Sequence, residues 1–401
     1  KSVEWAYNKF KEAGVEVEKH EFTMPVLWLE KAVSMSIKMP DETSTKISAV
    51  AKYQTAPGKY NSDIIYLSAG DSLDFAKQKN KIKGNFILVD TELCLDIDGL
   101  FAEYTHAAKV EELAYQYEAQ GILFMASRPK GLLYRFITSK TTDNTLPQFV
   151  VAREDARLIG ELSKEGKQLK LDAELDAEIG KEFKCENVIA EIKGSEKPEE
   201  VIIIGAHLDS WALGTGANDN GCNVSMMIDM ARQMKELGIQ AKRTIRFALW
   251  NGEEQGYFGS WAYTKDHLDE MDKHKLAVSI DIGSGQITGF FTNGRSDLKE
   301  MVDELAISQS TNGDTLIQLN IPIVGTDNFD FMMQGVPNLV GIHKPQVYGV
   351  NYHARTDTFD KVDLKMLKQN SATVGAMILA FANQDEINLP RQTRAEIQKT
   401  V

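Results

Sequence analysis

The sequence predicts an α/β protein: a mixed, mostly parallel sheet covered by helices on both faces, carrying a β-rich insert. Three observations support this. The stretch VIIIGAHLDS (residues 201–210) opens with four β-branched residues in an unbroken apolar run, which reads as a strand buried on both faces. After about Asp176, the strand-like runs VIIIG, TIRFALW, LAVSID and PNLVGI alternate with helical patterns, the texture of a parallel or mixed sheet with helices on both sides. Between about Ala32 and Asp176 the texture is different, with short apolar runs separated by turn residues. A chain of 401 residues also exceeds what one core usually holds. The expected division is one domain from residues 1–44 and 177–401, with an insert domain at 45–176.

In chain order, residues 2–13 place Val3, Ala6, Tyr7 and Phe10 on one face and stop at Gly14, an amphipathic helix with a glycine terminus. VEVEKHEF then alternates as a strand does. The middle segment offers strands AVSMSIKM, SDIIYLS, NFILVD, GILFMA and PQFVVA and two helices, HAAKVEELAYQYEAQ and REDARLIGELSKEG. Its single histidine, His106, opens a helical pattern and reads as structural. In the carboxyl half, NVSMMIDMARQMKEL, YFGSWAYTKDHL and SDLKEMVDELAISQ are the helices between strands, and VDLKMLKQNSATVGAMILAFANQ closes the chain.

Composition narrows the function. With 45 basic against 58 acidic residues, and no Lys/Arg-rich block, the chain has no surface for nucleic acid or an anionic membrane. Small molecules or peptides are the expected partners. No run of eighteen apolar residues occurs, so no membrane span is expected, and no signal-peptide pattern is visible. Three scattered cysteines, Cys94, Cys185 and Cys222, make neither a disulfide framework nor a thiolate zinc cluster. Cys222 reads as a small packed side chain.

The chemistry gathers after the carboxyl-half strands. The 201–205 strand delivers His207 and Asp209, two apart and so on one side of an extended chain, to the sheet edge where ligands collect in open α/β folds. Alone, His-x-Asp reads equally as a surface turn. GTGANDNGCN then places Asp219 ahead of a helix, which alone would be an N-cap. TIRFALW ends in Asn-Gly with Glu253 and Glu254, AVSID ends in Asp281, and GVNYHARTDT offers Tyr352, His353 and Asp357. Imidazole mixed with carboxylate and no thiolate suits zinc in an open catalytic site. His207, Asp219, Glu254, Asp281 and His353 exceed what one ion needs and suffice for two zinc ions if one carboxylate bridges. Such a pair lowers the pKa of a shared water toward ~7. Glu253, beside a ligand, is then the natural general base.

Taken together, GAHLDSW, GTGANDNG, WNGEEQGYFGS, SIDIGSG, GTDNFDF, GVPNLVGI and NYHARTDTFDKVD resemble the co-catalytic zinc exopeptidases of the aminopeptidase and glutamate carboxypeptidase type. Within that family, HLDSW, the Ser-x-Asp-x-Gly form around Asp281 and the opening helix and strand are most similar to its plasma glutamate carboxypeptidase branch. The middle segment resembles the protease-associated domain that many members insert. The resemblance implies that His207 and Asp281 hold one zinc, Glu254 and His353 the other, and that Asp219 bridges. It implies that Asp209 accepts the other ring N–H of His207, that Asp357 supports the ligands from behind, and that Tyr352 stabilises the tetrahedral oxyanion. Two departures, Asn220 after Asp219 and Ala354 after His353, remove no ligand and bear on substrate preference.

The implied activity is a zinc exopeptidase acting on terminal bonds of small peptides or dipeptides, of carboxypeptidase or dipeptidase type. An aminopeptidase with the same site is the alternative; a glutaminyl cyclase or a partner-binding relative that has lost catalysis follows behind. A carboxypeptidase needs a cation for the free carboxylate, for which Arg355 is the candidate, although it also reads as a solvated loop residue. An aminopeptidase needs acidic groups for the free ammonium, which Glu253 and Asp281 could provide. A secreted or periplasmic location and a homodimer are implied by the relatives alone.

Overall fold

The computed structural model describes residues 1–138, 146–309, 316–344 and 348–400. Two eight-stranded sheets organise it. The first runs in the order Glu16–Met24, Phe183–Ile192, Arg243–Trp250, Lys197–His207, His274–Ser279, Asn338–His343, Ile287–Phe291, Ile317–Leu319. Its four central strands, from Arg243–Trp250 to Asn338–His343, run parallel. Antiparallel pairings on either side of them make the sheet mixed.

The 201–206 run shows why a strand sits here. Ile202, Ile204 and Ala206 pack on one face against the helices Ser2–Glu12, Cys222–Glu236, Ser296–Gln309 and Leu364–Ala382. Val201 and Ile203 pack on the other with Trp250, Tyr263, Met271 and Phe331. Both faces are thus covered, each fully buried aliphatic side chain contributing roughly 1.5–3 kcal/mol. Because the strands are parallel, their carboxyl ends lie along one edge, and the loops leaving that edge carry the site.

The second sheet runs Ser44–Lys46, Trp28–Lys38, Lys170–Ile179, Gly58–Tyr66, Phe86–Val89, Gly121–Met125, Gln148–Val151, Ala49–Ala51. Helices Ser72–Ile82, Ile97–Gln116 and Arg153–Lys164 accompany it. Trp28–Lys38 pairs along its length with Lys170–Ile179. The expected boundary at residue 44 cuts this strand off from the insert although its AVSMSIKM run reads with the middle segment; the partner strand places it in the second sheet. The chain crosses between sheets at residues 25–27 and again near Gly180, where the Gly180 amide donates to the Leu27 carbonyl at 2.8 Å.

Helix Ile97–Gln116 starts nine residues before the expected HAAKVEELAYQYEAQ pattern, with Asp96 capping its first turn. His106 is half-buried and contacts the Ala69 carbonyl. No helix among the described residues is long and apolar enough to cross a membrane. All three cysteines are free, and Cys222 is buried with its thiol pKa pushed up, first by burial and then by Asp219.

Candidate metal centre

Each expected ligand sits just beyond the carboxyl edge of the four parallel strands. His207 ends its strand, in register with Trp250 of the neighbouring one, from which the turn to Glu253 and Glu254 departs. Asp281 lies two residues past Ser279, the end of the next strand. His353 follows the short helix Tyr348–Asn351 beyond Asn338–His343. Asp219 is in the loop that enters Cys222–Glu236, where the Asp219–Asn220 peptide is cis.

The five side chains converge in two halves. His207 Nε2 is 2.8 Å from Asp281 Oδ1 and 3.2 Å from Asp219 Oδ1. His353 Nε2 is 2.8 Å from Glu254 Oε2 and 3.3 Å from Asp219 Oδ2. Asp219 therefore offers one oxygen to each half. All five are buried, from 1% exposed at His207 to 8% at Asp281. Glu253 places a carboxylate oxygen in the same group as His207 and Asp281, within 4.8 Å of their ligand atoms.

These residues fit metal ions. Glu254 Oε1 and His353 Nδ1 are buried without a hydrogen-bond partner, and the remaining ligand atoms meet only one another, a costly arrangement for a site meant to hold only itself. The contacts of 2.8–3.3 Å approach the ~3.3 Å edge of a tetrahedron with ligand bonds near 2.0 Å. Four carboxylates face a cavity with no Lys or Arg among its described lining residues.

The electrostatics of these side chains give the same message. Burial opposes charge on His207, yet the Asp281 and Glu253 carboxylates raise it well above the usual range. His353, similarly opposed by burial, is raised to about 9 by Glu254 and Asp219. Burial pushes Glu254 up to about 7 against the His353 charge, and raises Glu253 well above a normal carboxylate with help from Asp281 and Glu254. Asp219, although buried, is held well below by its hydrogen bonds to His207 and His353. The surrounding carboxylates thus favour positive charge at both imidazoles, the field that a cation would meet there.

The supporting contacts depart from expectation at Asp209. The His207 ring is held by the backbone carbonyl of Asp209, 2.9 Å from Nδ1, while the Asp209 carboxylate stands 3.9 Å away. That carboxylate instead accepts the amides of Glu253 and Glu254, at 3.2 and 3.3 Å. Asp357 accepts the amides of Asn218 at 2.8 Å and Asp219 at 3.1 Å and so fixes the loop under Asp219. Arg355 is exposed and does not line the cavity; the turn that buries His353 and Ala354 points it outward.

A cavity of about 300 Å³ opens over the site. Tyr352 lines it, as do Tyr257, Tyr348, Ile282, Ile323 and Val324. Leu100, Phe101, Tyr104 and Ile137 reach in from the second sheet's segment, which sequence reasoning left without a part in the site. A second group that it missed lies behind: the Ser260 hydroxyl meets Asp327 at 2.6 Å and Asp330 at 2.8 Å. One hydroxyl proton cannot serve both carboxylates. Burial raises Asp330 to about 7 and Asp327 well above the usual range. The available signal was two acids three apart in the short apolar helix Asn328–Met333 and its cap.

The model of peptidase family M28 matches residues 187–378, a stretch that includes all five converging residues and Glu253. Among curated proteins, mouse carboxypeptidase Q is 26% identical over 347 residues, 84% of this chain and 70% of the mouse protein. The human carboxypeptidase Q match is 28% identical and spans 61% of this chain but only about half, 52%, of that protein. The probable lipoprotein aminopeptidase LpqL of Mycobacterium tuberculosis is 24% identical over 95% of this chain and 79% of its own length. A crystal structure of a peptidase M28 precursor from Shewanella amazonensis superposes with a TM-score of 0.83 at 26% identity, covering 98% of this chain and 90% of that one. The zinc aminopeptidase BSAP of Bacillus subtilis shares the fold, with a TM-score of 0.72 at 20% identity over 99% and 92% of the two chains. By these likenesses the chain is a metallo-peptidase hydrolase, and zinc is the metal typical of the matched family.

Proposed function

We propose that this M28 peptidase is a two-zinc exopeptidase that removes a terminal residue from small peptides or splits dipeptides. The carrying observation is the pair of half-sites, His207 with Asp281 and His353 with Glu254, sharing the two oxygens of Asp219. When bound there, the ions would supply Lewis-acid activation of water and of the scissile carbonyl. The chain's own residues do the rest. Glu253 takes a proton from the attacking water and passes it to the leaving amine, a transfer suited to a buried carboxylate whose pKa is raised toward the working pH. The Tyr352 hydroxyl donates to the oxyanion that develops at the carbonyl. The Asp209 carbonyl keeps the His207 tautomer that presents Nε2, and Asp357 holds Asp219 in place.

Polarity follows from what lines the cavity. Among its described lining residues, none supplies a cation for a free carboxylate, while Glu253 and Asp281 offer counter-charge to a free ammonium. That favours the amino-terminal bond, as an aminopeptidase or a dipeptidase. The carboxypeptidase reading rests on the mouse and human carboxypeptidase Q relatives and stands second. The insert, residues 45–176 extended to take in Trp28–Lys38, would be a domain of protease-associated type. Export fits the lipoprotein relative from Mycobacterium tuberculosis.

The test is hydrolysis of peptides blocked at the amino end, the carboxyl end or neither, by zinc-loaded protein and by Glu253→Gln. Cleavage that survives only a carboxyl-terminal block establishes an aminopeptidase, the reverse a carboxypeptidase, and cleavage of free dipeptides alone a dipeptidase. Glu253→Gln should keep its zinc and lose about 10²–10⁴-fold in kcat. Zinc-loaded wild type that cleaves none of the set would refute the exopeptidase reading.

A further inference from the structure

The turn that carries Tyr352 and His353 is held from the far side by the segment of the second sheet. The Arg128 guanidinium donates to the Gly349 carbonyl from Nε at 3.4 Å and Nη2 at 3.2 Å. Arg128 is 1% exposed and pairs with Glu103 at 2.9 Å. The Arg135 amide donates to the His353 carbonyl at 3.3 Å, and Tyr134 forms an antiparallel bridge with Ala354. Helix Ile97–Gln116 then presents Tyr104 to the cavity, its ring braced edge-on against Phe136 at 5.2 Å. The Tyr104 hydroxyl lies 3.3 Å from the Tyr352 hydroxyl.

Four tyrosines line the cavity, and their protons are not equally free. Tyr257 donates to the Val324 carbonyl at 3.2 Å and Tyr348 to the Asp281 carbonyl at 3.1 Å. Those two protons are committed to the walls. Tyr104 and Tyr352 have each other. A phenol has one proton, so when one hydroxyl of such a pair donates, the accepting one keeps its own proton for a third group. It also becomes a stronger donor, because hydrogen bonds in a chain polarise one another.

We propose that Tyr104 is a positioning residue for the peptidase reaction: it donates to the Tyr352 oxygen and thereby aims and strengthens the Tyr352 hydroxyl as the donor to the oxyanion. This rests on the role given to Tyr352 above. It makes the segment of the second sheet part of the catalytic apparatus, through a contact 248 residues apart in sequence.

The test is a double-mutant cycle of Tyr104→Phe and Tyr352→Phe in the full, zinc-loaded chain. Tyr352→Phe should lower kcat about 10²-fold. Tyr104→Phe should lower kcat about fivefold to tenfold with KM little changed, the worth of one hydrogen bond, and should change nothing further in the Tyr352→Phe background. Affinity for a phosphinate peptide mimic, which presents a tetrahedral oxyanion, should fall by the same factor, while the melting temperature of the metal-free protein stays put. An equal loss from Tyr104→Phe in both backgrounds would overturn the proposal, because Tyr104 would then act without Tyr352. So would full activity of Tyr104→Phe beside a crippled Tyr352→Phe. If Tyr352→Phe itself were fully active, the oxyanion role of Tyr352 would fall first and this inference with it.

Discussion

Gly205 offers the sharpest test of how the fold sets the metal centre. It lies two residues before His207, in the strand whose burial defines the sheet. A methyl group added there would stand 2.3 Å from Nε1 of Trp250 and 3.1 Å from the Ala248 carbonyl oxygen. Trp250 is 2% exposed, with ring centres 5.2 Å from Tyr263 and 6.1 Å from Phe331, so the indole has little room to turn. Restoring an ordinary contact of ~3.5 Å needs a shift of about 1 Å in ring or strand. Overpacking of this kind costs about 1–3 kcal/mol, and the backbone oxygen on the second side argues for the upper end. Gly→Ala recovers roughly 0.4–1 kcal/mol by restricting the unfolded chain. The net expectation for Gly205→Ala is a loss of about 2 kcal/mol.

The displacement also reaches the chemistry. Trp250 is the strand partner of His207, its carbonyl accepts the Leu208 amide at 2.6 Å, and the turn to Glu253 and Glu254 leaves from it. A shift of about 1 Å at this point would cost on the order of 10²-fold in kcat/KM. Urea unfolding of the metal-free protein, followed by tryptophan fluorescence, reads the first quantity, and peptide hydrolysis the second. A loss below about 0.5 kcal/mol with unchanged kcat/KM would show that this edge yields without effort, and the rigid-floor reasoning would be refuted.

Two further outcomes follow from single contacts. Asp209→Asn leaves the carbonyl that holds His207 but replaces two carboxylate contacts to the Glu253 and Glu254 amides by one; charge-assisted bonds of this kind are worth about 1.5–3 kcal/mol. We expect a fall of about 10- to 100-fold in kcat/KM, measured beside zinc affinity by competition with a chromophoric chelator; wild-type values for both would contradict it. Burial, aided by the Arg246 guanidinium, pushes His274 down to about 4, and its ring contacts the Glu270 carbonyl and the Tyr263 hydroxyl, both at 3.0 Å. Since the folded pKa lies below the unfolded 6.5, the stability from His274 is fully present above pH 6.5 and is lost as pH falls toward 4. The loss reaches about 2 kcal/mol by pH 5, and a His274→Gln variant should show a flatter dependence of its urea midpoint between pH 7 and 5; an identical slope would count against it.

What the sequence made legible and what it hid divide along physical lines. His207, Glu254 and Asp281 could be placed because each closely follows an apolar run, Asp219 and His353 because they lie in loops leaving such strands, and a parallel sheet brings those ends to one edge. Spacing put Asp209 on the His207 side but could not tell its carbonyl, 2.9 Å from the ring, from its carboxylate, 3.9 Å away. Arg355 misled for a related reason: two residues after a buried histidine places a side chain only if the turn is known, and the turn there points outward. The sheet for Trp28–Lys38 was ambiguous since alternation carries no partner identity. Tyr104 was invisible, because nothing in a helix periodicity announces a hydroxyl contact with a residue 248 positions away.

The position of the second sheet's segment bears on why such a site would act at chain ends. The carboxyl edge of an open parallel sheet is by itself a rim exposed to water. Leu100, Phe101, Tyr104 and Ile137 turn that rim into a cavity of about 300 Å³. Behind Tyr352 and His353, the space among Glu103, Arg128, Tyr134 and Phe136 is filled, with no volume for a water molecule. A peptide entering over the candidate ligands would therefore meet a wall beyond Tyr352, built from Arg128 on the Gly349 carbonyl and from the Tyr134–Ala354 bridge. An internal stretch of polypeptide would need an exit on that side, whereas a terminus does not. The same wall lowers the local dielectric around Glu253 and Glu254, which strengthens every charge interaction in the site. Under the proposed function, the residues that would restrict the substrate to a chain end are also those that would exclude water from the reaction.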